Sequence, residues 1–215
     1  MAQPYVFMGG TFDPVHNGHL RTALELQQWL AVSMVHLIPS GTPVHRKQPG
    51  CTADQRLTML QLATADEPAL KADPREVEAD QASYTLFTLE SLRAELGPQT
   101  PIVMIMGMDA YQTLPSWHEW RAFIDYCHIL VVARPGYRPD PAPELAELTA
   151  KHLATTPEQL WQTAAGQIVF HELTPLGISA TQVRDLIATG ASPRYLLPDP
   201  VWHYIQTHHL YGLTS

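Results

Sequence analysis

The sequence predicts an α/β fold, a doubly wound parallel sheet with a small helical part at the C-terminus. Short, continuously apolar runs recur along the chain, as expected for strands covered on both faces. Segments with helical spacing and capping signals lie between these runs, and such alternation favours parallel strands. A glycine turn also separates the first apolar run from the first helical segment, which is how a parallel sheet presents a phosphate site.

Each predicted strand is an apolar run of four or five residues. These runs are Tyr5–Met8, Val35–Ile38, Ile102–Met106, Ile129–Ala133 and Ile168–His171. The helical segments between them carry sequence signals at their ends, in the form of capping residues, a glycine-proline stop or a proline near the start. These signals are Thr52 with Gln55, Ser83 ahead of Leu86, Gly97-Pro98, Ser116 with Glu119, Ser179 with Gln182, and Asp199-Pro200. Residues 136–157 are proline-rich and then polar, which predicts a surface excursion.

Length and composition predict one domain over residues 1–215, with a helical part from about residue 178. A hydrophobic fraction of 45% can fill a sizeable core. The net charge of −8 argues against nucleic acid or an anionic membrane as partner, although a local basic pocket for a small anion stays possible. Cys51 and Cys127 are too few for a disulfide framework. With no signal peptide or membrane span evident, we expect a soluble protein of a reducing, cytoplasmic compartment; its oligomeric state stays open.

The glycine turn carries two histidines at the head of the first helix. Residues 9–19 read GGTFDPVHNGH, and His16 and His19 are three positions apart, so both rings can face one ligand. Glycine lets a backbone approach phosphate closely, and imidazole donors stabilise a phosphoryl group as charge builds on it. The turn is neither a P-loop nor a dinucleotide-binding glycine motif. Zinc is the other use for paired histidines, but no third ligand at suitable spacing is evident.

A second group of donors lies near the C-terminus. Ser179, Thr181 and Arg184 place two hydroxyls and a guanidinium on the start of one helix, which suits an anion. The alternative is an ordinary capped helix with a solvated arginine. A basic loop, with His45 and Arg46 between prolines and glycines, could contact phosphates or be merely solvated.

These two groups of residues resemble a known superfamily. Residues 9–19 resemble the GGxFDPxHxGH motif of the nucleotidylyltransferases, and residues 178–184, ISATQVR, resemble their ISSTxxR element. Over nearly its whole length the chain is more specifically similar to the bacterial nicotinate mononucleotide adenylyltransferase family. The segments that support this are Pro43–Lys47, Ser83–Thr85, Gly107–Asp109, Ser116-Trp117 and Arg134–Gly136. Val44 and Ala180 depart from the common pattern, and neither position supplies an indispensable charge.

The resemblance implies a Rossmann-like nucleotidylyltransferase fold and transfer of AMP from ATP to nicotinate mononucleotide in NAD biosynthesis. It also implies Mg²⁺ carried by the ATP phosphates and no metal site built from protein ligands. The implied catalytic residues are His16, His19 and Arg184. Implied ATP contacts are Gly9, Gly10, Thr11, Phe12, His16, His19, Gly107, Asp109, Ile178, Ser179, Thr181 and Arg184. Implied mononucleotide contacts are His45, Arg46, Thr85, Trp117 and Arg134.

Plainer alternatives stay open for several of these residues. Asp109 could be a helix cap, and Trp117 could be a buried core residue rather than a platform for a pyridine ring. Functions from other classes are also open: an adenylyltransferase acting on phosphopantetheine, or a nucleotide sensor without catalysis. A synthetase-like tRNA partner would need extra domains and a basic face.

Overall fold

The computed structural model describes residues 3–41, 50–80, 82–133, 142–173 and 176–213. Its strands are β1 (Tyr5–Gly10), β2 (Val35–Pro39), β3 (Leu70–Ala72), β4 (Ile102–Gly107), β5 (His128–Ala133) and β6 (Ile168–Glu172). The α-helices are α1 (Asn17–Leu30), α2 (Ala53–Thr64), α3 (Thr85–Leu96), α4 (Met108–Gln112), α5 (Phe123–Tyr126), α6 (Pro143–His152), α7 (Ala180–Ala188) and α8 (Asp199–Thr207). Short 3₁₀ helices cover Leu114–Ser116, Trp120–Ala122, Pro157–Trp161 and Leu210–Gly212.

The strands follow the order β3-β2-β1-β4-β5-β6. Registered pairs run parallel, with Tyr5 opposite Ile102 between β1 and β4, and Val35 opposite Leu70 between β2 and β3. This order reverses direction at β1 and is the order of doubly wound nucleotide-binding sheets. The predicted fold class is confirmed.

All five predicted strands are present, and each is within two residues of its predicted bounds. Strand β3 was not predicted, because its three residues include an exposed lysine and are too few for a periodic pattern. Helix α6, which lies inside the polar segment 136–157, was not predicted either. There Pro143 occupies the first turn of the helix and Leu145 is fully buried.

Some of the predicted helix caps are present in the structure and one is not. Thr52 and Gln55 form the expected reciprocal cap of α2, and the Ser179 hydroxyl accepts from the Gln182 N–H at the start of α7. The expected cap of Ser116 with Glu119 is wrong. Ser116 ends a 3₁₀ helix and donates its hydroxyl to the Thr113 carbonyl.

The chain divides into two compact units. One comprises Met1–Gly9 and Tyr84–Pro175, and the other comprises Gly10–Ser83 and Leu176–Ser215. The single domain expected over residues 1–215, with a helical part from about residue 178, remains a prediction. In the part of the chain that the structure describes, no helix has the length and apolar character needed to cross a membrane.

Each unit has its own apolar packing. In the first unit, the central strands β4 and β5 are buried almost throughout, as their continuous apolar sequence predicts. In the second unit, α2 packs against β2, β3 and α8. The buried face of α2 comprises Arg56, Met59, Leu60 and Thr64. An arginine in the middle of an apolar face needs internal acceptors, and these lie in the candidate site.

Candidate active site

The two histidines of residues 9–19 cap helix α1 with each other's rings. The His19 N–H donates to Nδ1 of His16 at 3.4 Å, and the His16 N–H donates to Nδ1 of His19 at 3.3 Å. His16 has the extended backbone of an N-cap residue, with φ −144° and ψ 167°. The pair is therefore a capping box in which imidazoles replace the usual hydroxyl and carboxylate.

The capping bonds fix the tautomer of both rings. Because each Nδ1 accepts a hydrogen bond, the proton of each neutral imidazole resides on Nε2. The rings stack with centroids 3.6 Å apart and planes 18° from parallel, so they cannot rotate independently. Phe12 contacts the His19 ring edge-on, with centroids 5.0 Å apart. The two rings are thus held together, and each carries an Nε2–H donor.

Both rings are uncharged near neutral pH. Burial lowers the pKa of His16 to about 4. Burial, together with the proximity of His16, lowers the pKa of His19 to about 3, since two stacked imidazolium ions would repel. Each ring therefore donates a hydrogen bond from a neutral N–H group and does not have to be protonated first.

Packing within the fold accounts for glycine at position 10 but not for glycine at position 9. A Cβ at Gly10 would lie 3.0 Å from the Phe12 ring, so a side chain there would crowd the ring. A Cβ at Gly9 would meet nothing within 4 Å among the described residues, and Gly9 has no positive φ. The fold does not require glycine at position 9, which is consistent with close approach of a ligand. Phe12 itself has φ 50° and is buried, and the peptide bond between Asp13 and Pro14 is cis.

Gly18 serves the histidine cap. A Cβ there would lie 3.0 Å from Nδ1 of His16 and 3.5 Å from the Cβ of Ile178. A side chain at position 18 would thus displace the ring of His16. Ile178, from the second motif, lies against the start of α1.

The second motif joins the histidine turn through Arg184, within the same compact unit. Its Nη1 donates to the Asp13 carbonyl at 2.6 Å and lies 3.8 Å from a carboxylate oxygen of Asp13. Its Nη2 donates to the Thr181 hydroxyl at 3.2 Å. Ser179 and Thr181 are exposed at the start of α7. The structure thus brings together two motifs that are about 160 positions apart in the sequence.

The remaining described site candidates lie in the other unit. Gly107 ends β4 and precedes α4, and Asp109 is exposed on the first turn of that helix. Thr85 is the first residue of α3, and Tyr84 rather than Ser83 occupies its N-cap position. Trp117 is half-buried, with its ring edge-on to Phe123 at 6.3 Å. His45, Arg46 and Arg134 lie outside the described residues.

Three polar residues of the site, Asp13, Arg56 and Tyr211, were not predicted from the sequence. Asp13 is only 6% exposed, and its carboxylate accepts from Gly50 N–H at 2.8 Å and from the Tyr211 hydroxyl at 2.9 Å. Arg56 is 1% exposed and donates to the carbonyls of Thr11 and Gly41 at 2.7 and 2.8 Å. Asp13 could have been suspected from its place inside the motif. Nothing in the sequence marks Arg56 or Tyr211, because each works through tertiary contacts.

Comparison with known proteins identifies the family. The model for the cytidylyltransferase-like family matches residues 7–186. A probable nicotinate-nucleotide adenylyltransferase of Hahella chejuensis is 48% identical over 213 residues, covering 99% of this chain and 97% of the relative. Its counterpart in Aeromonas salmonicida is 46% identical over 208 residues and covers 97% of both chains. The chain belongs to the nicotinate-nucleotide adenylyltransferase family.

Members of this family are nucleotidyltransferases, and the solved structures agree on the fold. A Plasmodium falciparum nicotinic acid mononucleotide adenylyltransferase, solved in complex with NaAD, superposes with a TM-score of 0.74. It is 13% identical, with 99% of both chains covered. The same protein in complex with APC gives a TM-score of 0.71 at 14% identity. At such low identity the likeness concerns the fold alone.

Proposed function

We propose that this protein transfers the adenylyl group of ATP to nicotinate mononucleotide and releases pyrophosphate. The product is nicotinate adenine dinucleotide, so the reaction belongs to NAD biosynthesis. The observation that carries the proposal is the stacked pair of neutral histidines, each with its proton on Nε2. The 46–48% identity to relatives named for this activity supports the choice of acceptor.

The chemical step needs no protein nucleophile. A phosphate oxygen of nicotinate mononucleotide bonds to the α-phosphorus of ATP, and the bond from that phosphorus to the bridging oxygen of the β-phosphate breaks. Catalysis then depends on positioning and on stabilising charge. His16 and His19 donate from Nε2 to the non-bridging oxygens of the α-phosphate, where negative charge grows in the transition state.

The second motif holds the leaving pyrophosphate. Ser179 and Thr181 offer hydroxyls at the start of α7, beside Ile178, and Arg184 offers a guanidinium already oriented by the Asp13 carbonyl. A helix start adds favourable backbone N–H groups for the same anion. The positive charge of Arg184 compensates the charge that the pyrophosphate gains as it departs.

The glycine turn and the end of β4 bind the rest of ATP. Gly9 leaves room for the phosphates, which lie next to Gly10, Thr11 and Phe12. Gly107 and Asp109 follow the carboxyl end of a parallel strand, where nucleotides bind in doubly wound sheets, and the Asp109 carboxylate accepts from ribose hydroxyls.

For the acceptor, we propose that Trp117 stacks on the pyridine ring and that Thr85, with backbone amides, receives the nicotinate carboxylate. His45, Arg46 and Arg134 are proposed to contact its phosphate or ribose, on sequence grounds alone. Mg²⁺ enters with the ATP phosphates, as is usual for an ion that keeps several of its waters. A cytoplasmic location fits the two free, buried cysteines.

The test is pyrophosphate release from ATP and nicotinate mononucleotide, with His19→Ala as the variant. The protein should turn over, and His19→Ala should lose at least about 100-fold in kcat while keeping its far-UV circular dichroism. Gln28→Ala, on the same helix but away from its start, is the control and should keep its activity. Near-normal turnover of His19→Ala would overturn the mechanism.

A further inference from the structure

The Asp13 carboxylate connects three segments that are distant in sequence. Its Oδ1 accepts from the Tyr211 hydroxyl at 2.9 Å, and its Oδ2 accepts from the Gly50 N–H at 2.8 Å. Arg184 approaches Oδ2 only to 3.8 Å and instead donates to the Asp13 backbone carbonyl at 2.6 Å. The buried carboxylate is therefore satisfied mainly by two neutral donors rather than by the arginine.

Tyr211 is held in place for this contact. It lies in the 3₁₀ helix Leu210–Gly212 with φ 61° and ψ 28°, a left-handed conformation that few residues other than glycine adopt without support. Its ring packs on Gly50, where an added Cβ would lie 3.1 Å from the ring carbons. Burial raises the pKa of Tyr211 above its usual range, so the hydroxyl remains a donor.

We infer that Tyr211 is a positioning residue for ATP binding: by occupying Asp13, it keeps the guanidinium of Arg184 available for the phosphates. This inference rests on the proposed phosphate role of Arg184. Without the tyrosine hydroxyl, the buried Asp13 carboxylate lacks one of its donors. Arg184, 3.8 Å away, can replace that donor. Arg56 also interacts with the charge of Asp13, but its guanidinium already donates to the carbonyls of Thr11 and Gly41. A closed ion pair would neutralise the charge that the phosphates of ATP require.

The test is a double-mutant cycle on ATP affinity, measured by isothermal titration calorimetry with the Mg²⁺ complex of ATP and no acceptor. Tyr211→Phe removes only the hydroxyl and should weaken ATP binding about tenfold, equivalent to about 1.4 kcal/mol. In an Arg184→Gln background, where Asp13 can no longer capture the Arg184 guanidinium, the same change should weaken binding less than about twofold. Tyr195→Phe is the matched control, since Tyr195 also has a positive φ but is 87% exposed.

The outcomes separate this inference from the proposed reaction. An equal loss of affinity in both backgrounds would mean that Tyr211 acts through general stability, and would overturn the inference. Unchanged affinity of Tyr211→Phe would overturn it as well. The titrations contain no acceptor, so their result does not depend on which acceptor the enzyme uses. An enzyme that binds ATP but does not use nicotinate mononucleotide would therefore refute the proposed reaction, while the double-mutant cycle would still test the role of Tyr211. Failure of the unmodified protein to bind ATP would overturn both.

Discussion

His16 has two roles, one in capping α1 and one in the proposed catalysis, and different substitutions should remove them separately. Nδ1 of its ring accepts the capping bond, while Nε2 carries the proton proposed to reach the α-phosphate. Asparagine places its carbonyl oxygen near the position of Nδ1 and has no atom at the position of Nε2. Glutamine does the reverse, since its amide nitrogen reaches toward Nε2 and its side chain caps helices poorly.

The expected magnitudes differ for each variant. His16→Ala should lose about 0.5–2 kcal/mol of unfolding free energy with the cap. It should also lose about 100- to 1000-fold in kcat, or about 2.7–4 kcal/mol, with the donor. His16→Asn should recover the stability while kcat stays low. His16→Gln should remain destabilised but regain part of the activity.

Urea unfolding and pyrophosphate-release kinetics on the three variants provide the two measurements. The decisive comparison is between His16→Asn and His16→Ala, because only the cap distinguishes them. If asparagine restored kcat together with stability, His16 would matter only as a helix cap. The proposed donation from Nε2 would then be refuted.

Further predictions concern pH and two other positions. Because the folded-state pKa of His16 is lowered to about 4 from 6.5, the neutral ring stabilises the fold above pH 6.5, and this stabilisation is lost as pH falls toward 4. The protein should therefore lose stability relative to His16→Asn over this range, so that the variant, about equally stable near pH 7, becomes the more stable of the two near pH 4. A constant difference in unfolding free energy would contradict the lowered pKa. Gly9→Ala should have a melting temperature within about 2 °C of that of the unmodified protein, since the added Cβ meets no described atom. It should weaken ATP binding, measured by calorimetry, at least about tenfold. Unchanged affinity would mean that the phosphates do not lie against Gly9. Arg56→Met should lose about 2 kcal/mol or more in urea unfolding, because the carbonyls of Thr11 and Gly41 lose their buried donor. A loss below about 0.5 kcal/mol would show that other donors replace the guanidinium.

The sequence was sufficient for the fold where local patterns decide structure. Continuous apolar runs predict buried strands such as β4, and Thr52 with Gln55 predicts the start of α2, because both depend on neighbouring residues alone. Strand β3 has no such pattern, since three residues paired at the edge of the sheet carry too little apolar sequence. The failed Ser116 cap shows the limit of short motifs, because a 3₁₀ turn uses the same hydroxyl differently.

For the site, the sequence predicts which side chains are present but not how they are held. The spacing of His16 and His19 indicates a shared face, yet the reciprocal cap and the resulting Nε2–H tautomer depend on the backbone geometry at the helix start. The contact of Arg184 with Asp13 spans 171 positions, and that of Tyr211 with Asp13 spans 198. No local pattern encodes contacts of that range. The roles assigned to the individual site residues remain predictions.

The most direct test of the central claim is an acceptor comparison. Pyrophosphate release from ATP is measured with nicotinate mononucleotide, nicotinamide mononucleotide and phosphopantetheine, each at matched concentrations, and the products are identified by mass spectrometry. We predict release with nicotinate mononucleotide and one nicotinate adenine dinucleotide formed for each pyrophosphate. Preference for phosphopantetheine, or no release with any acceptor, would contradict the account.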